Sequence, residues 1–83
     1  MRNELTIAVG ELYHGIGHHH WHGKTFRQFW EWFNQRCIAL VGAALPEELG
    51  ELQAELLDVR AAVEDGGYLV PSDRLDEVIE PPM

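Results

Sequence analysis

The chain has 83 residues and a formal net charge of −8 at pH 7, with five histidines and a single cysteine. Its length predicts one small domain, residues 1–83, burying only about 60–65% of its unfolded surface, so a homodimer is a candidate route to extra stability. One cysteine excludes an intrachain disulfide, and the longest apolar stretch, Cys37 to Leu45, is too short for the roughly 20 residues that cross a bilayer.

Residues 4–16 carry Leu5, Ala8, Val9, Leu12, Tyr13 and Ile16 at three- and four-residue spacing, which favours an amphipathic helix ending near Gly15. A short strand is the alternative, because Leu5, Ile7 and Val9 also alternate with Thr6 and Ala8. A glycine- and histidine-rich loop follows over residues 15–24. Thr25 and Gln28 then have capping-box spacing. Behind them Phe26, Phe29, Trp30, Phe33, Cys37, Leu40, Val41 and Ala44 form one apolar stripe, predicting a core helix to about residue 43.

Pro46 suits the first turn of a further helix, with Glu47 and Glu48 at its positive end. Leu49, Leu52, Leu56, Val59 and Val63 continue it as an a/d seam that stops at Asp65-Gly66-Gly67. Tyr68 to Pro71 read as extended. Ser72 is placed to cap a last short helix with Leu75, Val78 and Ile79 inward, and Glu80 to Met83 are expected to fray. The predicted fold is an all-α bundle built on an antiparallel two-helix hairpin with short flanking helices.

Charge is divided unevenly along this fold. Residues 1–45 balance to +1, whereas residues 46–83 balance to −9. An acidic half attracts basic partners and repels nucleic acid, so direct nucleic-acid binding is not expected. Glu48, Glu51, Glu55 and Asp58 share one helical stripe beside the leucine seam, where like charges repel unless a cation relieves them. On the preceding helix Trp32 lies with Ala39 and Ala43 on a stripe away from the core face, and tryptophan is a common interface anchor. Gly50, Ala54, Leu57 and Ala61 form a small-residue stripe roughly opposite the seam, open to a second helix or covered within the monomer.

Glu47-Glu48-Leu49-Gly50-Glu51 fits E-E-x-x-E, and Glu55-Leu56-Leu57-Asp58 fits E-x-x-D. The pair resembles the metal-binding motifs of the MazG-like all-α nucleotide pyrophosphohydrolases. That resemblance, confined to residues 47–58, implies carboxylates holding Mg²⁺ against nucleotide phosphates. The family sets its two motifs on neighbouring helices, but here both fall on one, so the implied enzyme requires a dimer.

The histidines supply a third chemistry. His18, His20 and His22 would share one side of an extended loop, with His14 one helical turn before His18, a set of imidazoles suited to Zn²⁺ or Ni²⁺. Cys37 falls on the aromatic stripe and reads as a structural thiol. Gly17 to Thr25 has the outline of a phosphate-binding loop, but five residues separate Gly17 from Gly23 where that loop needs four.

The leading expectation is a non-enzymatic, cytoplasmic protein-binding module, an inhibitor or adaptor of the kind that includes viral anti-defence factors. It would engage a basic, nucleic-acid-binding protein surface through Trp32, Glu48, Glu51, Glu55 and Asp58.

Overall fold

The computed structural model describes residues 2–80, and the last part of the expected fraying tail, residues 81–83, lies outside them. The architecture is all-α. Helix α1 spans Asn3–Gly15, α2 spans Phe26–Ala43 and α3 spans Leu49–Asp65, with 3₁₀ turns at His18–His20, Pro46–Glu48 and Ser72–Arg74. Residues 4–14 are helical, which settles the helix-or-strand choice for the first segment.

α2 and α3 form the antiparallel hairpin, and α1 packs across both. Leu5, Val9, Leu12 and Ile16 of the first segment, Phe29, Phe33 and Leu40 of α2, and Leu52, Val59 and Val63 of α3 interlock as the core. Phe29 is fully buried, a contribution of about 2–3 kcal/mol from area alone. Two residues of the expected core stripes turn outward instead. Val41 and Tyr13 sit at the margins of their helical faces and are 43% and 53% exposed.

Local chemistry explains the helix ends. The Thr25 hydroxyl accepts from the Gln28 N–H at 3.2 Å, and the Gln28 side chain accepts from the Thr25 N–H at 2.9 Å, closing the expected capping box. At the end of α3, the Gly67 N–H donates to the Glu64 carbonyl and the Tyr68 N–H to the Val63 carbonyl. That Schellman pattern needs a left-handed residue, and Gly67 supplies it with φ of 84°.

The last segment departs from expectation. Ser72–Arg74 form only a 3₁₀ turn, and the chain then runs extended beside residues 23–27, with an isolated antiparallel bridge between Thr25 and Val78. Only Ile79 of the expected inward trio is buried; Val78 is exposed. The cause is the N-terminus of α2. Its Phe26 and Arg27 N–H groups have no partner inside the helix, and they donate to the Glu77 and Leu75 carbonyls at 3.2 and 2.8 Å. A helix over 72–79 would have committed the Leu75 carbonyl to the Ile79 N–H, which instead donates to the Lys24 carbonyl at 2.7 Å.

Candidate functional site

Glu51, Glu55 and Asp58 are exposed along one edge of α3. At about 100° per residue they stand roughly 150–170° around the helix from the Gln53–Arg60 side, on the flank toward α1. Arg2, Arg27, Arg60 and Arg74 pair with Glu48, Asp76, Glu64 and Glu77. Lys24 lies 5.1 Å from the centre of the Trp21 ring.

Glu48 does not belong to that edge. It is buried, and its carboxylate accepts the Arg2 backbone N–H at 2.9 Å, the Arg2 Nε at 3.1 Å and the Leu45 N–H at 2.8 Å. Those donors, the Arg2 and Leu45 backbone N–H groups first, hold its carboxyl at a pKa of about 2. The Arg2 guanidinium also reaches the Ala43 carbonyl, so Glu48 and Arg2 together close the α2–α3 turn. This occupation weighs equally against the pyrophosphohydrolase-like arrangement, because the second carboxylate of its first motif is already saturated.

Trp32 sits apart from the acidic edge as well. Its ring lies over Gly15, where a Cβ would come within 2.7 Å of it, and its centroid is 5.2 Å from that of Trp21. With Ala8, Glu11, Leu12 and Arg36 it lines a trough of about 300 Å³ between α1 and α2 that no α3 residue enters. α1 therefore stands between Trp32 and Glu51, Glu55 and Asp58. The sequence groups all of these as one candidate surface; the fold divides them.

The four histidines considered as ligands are also divided. His14 faces His20 and His19, with ring centroids 5.6 and 6.5 Å away. His18 turns the other way. It stacks on Tyr68 at 4.7 Å, hydrogen-bonds to the Gly66 carbonyl, and has His22 at 6.3 Å. Among the described residues, no group of three or more His, Cys, Asp or Glu side chains is arranged to hold a metal ion. His20 is held below the ordinary imidazole pKa, by shielding from water first and then by His19 and His14.

No family model, curated protein or solved structure matches this chain. The reading of function therefore rests on the chain's own chemistry.

Two residues outside the expected site organise it. Tyr68 is buried, stacks on Phe29 at 3.9 Å with planes 4° apart, and donates its hydroxyl to the Ile16 carbonyl at 2.6 Å. Burial raises its pKa to about 12. Trp21, also buried, donates its indole N–H to the Gly15 carbonyl at 2.8 Å. Together they pull the histidine loop down over the end of the bundle. The available sequence signal was weak: one aromatic after a pair of glycines and one among histidines, without periodicity. Cys37 is half-buried, and burial pushes its thiol pKa up, as for a packed side chain rather than a nucleophile.

Proposed function

We propose that this chain is a non-enzymatic binding module, an inhibitor or adaptor, that docks a protein with a basic surface on the acidic edge of α3. Its contact charges are Glu51, Glu55 and Asp58. The observation that carries the reading is their exposure in a row on one rigid helix. Tyr13 of α1, 53% exposed and outside the Trp32 trough, is the aromatic side chain we propose as the anchor of the contact. Long-range attraction steers the encounter, and the aromatic contact holds it.

The test is capture of partners from a lysate of the source cells by the wild-type chain and by a Glu51→Gln/Glu55→Gln/Asp58→Gln variant, identified by mass spectrometry. A basic protein retained stoichiometrically by wild type and lost by the variant supports the reading. Equal retention by both refutes it. Glu48 is left intact because its loss would disturb the fold rather than the surface.

A further inference from the structure

Helix register builds the trough beside Trp32. α1 runs antiparallel along α2, since the Arg2 guanidinium meets the Ala43 carbonyl at one end and Gly15 lies against the Trp32 ring at the other. One turn back from Gly15 on α1 is Glu11, and one turn on from Trp32 on α2 is Arg36. An acid and a base therefore come level on opposite walls. A further turn along, Ala8 and Ala39 come level, and their small side chains leave the space between the helices open. The buried Leu12 and Leu40 form the apolar floor.

Three polar groups at this trough have no partner among the described residues. Neither the Glu11 nor the Arg36 side chain forms an ion pair or a hydrogen bond there, whereas Arg2, Arg27, Arg60 and Arg74 are all paired. The indole N–H groups of Trp21 and Trp30 donate to the Gly15 and Tyr68 carbonyls at 2.8 and 2.9 Å. The Trp32 N–H has no such acceptor, and because no buried side-chain nitrogen is left without a partner, it is open to water. Contacts with Gly15, Trp21 and Phe29 fix the plane of its ring.

Size and charge select the ligand. A volume of about 300 Å³ suits a small molecule. A simple carboxylate on Arg36 would also face Glu11 and a chain of net charge −8, and a simple amine on Glu11 would face Arg36. The backbone of a peptide offers only neutral amides. A free amino acid carries ammonium and carboxylate on one carbon with no net charge, so it satisfies both walls at once. An aromatic side chain completes the fit by stacking on the Trp32 indole.

We propose that the α1–α2 trough is a binding site for a free aromatic amino acid, with Arg36 on its carboxylate, Glu11 on its ammonium and Trp32 against its ring. The site stands independently of the partner-binding reading, because it shares no residue with the acidic edge of α3.

Titration of L-phenylalanine into the isotope-labelled chain, followed by amide and indole NMR, tests it. The signals of Ala8, Glu11, Arg36 and the Trp32 indole N–H should move together, with a Kd of about 1 mM or tighter. Phenylacetate lacks the ammonium, phenethylamine the carboxylate and L-alanine the ring, and each should bind at least about tenfold more weakly. Arg36→Gln and Glu11→Gln should each weaken L-phenylalanine about tenfold with unchanged helical circular dichroism, since both side chains are exposed. The analogue series uses the wild-type chain, so its outcome does not depend on the folding of a variant. No shifts up to about 20 mM, shifts confined to residues outside the trough, or an analogue that binds as tightly as L-phenylalanine would overturn the proposal. Equal binding by wild type and both variants would do the same.

Discussion

Arg2 and Glu48, 46 positions apart, are joined twice: the Arg2 backbone N–H and the guanidinium Nε both donate to one carboxylate. The same carboxylate takes the Leu45 N–H, so one buried acid fixes the start of the chain to the turn between α2 and α3.

The bond makes acid stability predictable. Glu48 has a pKa of about 2 in the folded chain against 4.5 for an ordinary glutamate, so its contribution is complete above pH 4.5 and is lost as pH falls toward 2. Glu48→Gln should lower the melting temperature at pH 7 by several degrees. It should also flatten the fall in stability between pH 4.5 and 2, measured by thermal melts across that range.

Tyr68 produces the opposite limb. Its folded pKa is about 12 against 10, so its protonated form stabilises the fold below pH 10 and this support fades between pH 10 and 12. Tyr68→Phe keeps the stack on Phe29 but strands the Ile16 carbonyl. A loss of about 1–2 kcal/mol at neutral pH is expected in urea unfolding, with a reduced alkaline fall.

Gly15 is held small by Trp32. Gly15→Ala gains helix propensity of up to about 1 kcal/mol, but its Cβ would lie within 2.7 Å of the indole, an overpacking cost of about 1–3 kcal/mol. The substitution should destabilise wild type and become neutral or stabilising in a Trp32→Ala background. A double-mutant cycle by chemical denaturation measures that coupling.

Among the histidines, His18 is the one tied to the end of α3. His18→Ala should cost about 1–2 kcal/mol through the lost Gly66 bond and Tyr68 stack, whereas His14→Ala and His22→Ala should leave the melting temperature within about 2 °C of wild type. Saturating Zn²⁺ should not raise it. A rise abolished by His14→Ala would restore the metal reading.

Elements with local chemistry were legible before the fold was known. The Thr25–Gln28 box, the Leu52–Val59–Val63 seam and the glycine stop each need only neighbours in sequence. Glu48 was not, because a charge pattern groups it with Glu51 and Glu55, and its partner Arg2 lies at the other end of the chain. Residues 72–79 misled for a similar reason. Their apolar spacing favours a helix, but the free N–H groups of Phe26 and Arg27 compete for their carbonyls. Trp32 was expected on a stripe away from the core; it is half-buried against the core beside Trp21 and Phe29, because α1 packs over that side of α2, which the periodicity of α2 alone does not show.

The central claim is that Glu51, Glu55 and Asp58 steer a basic partner. The most direct measurement is the association rate of the captured partner with wild type and with the Glu51→Gln/Glu55→Gln/Asp58→Gln variant, from about 50 to 500 mM salt. The wild-type rate should fall about tenfold or more across that range, while the variant associates slowly throughout with a much shallower slope. Identical rates and salt slopes for the two proteins would contradict it.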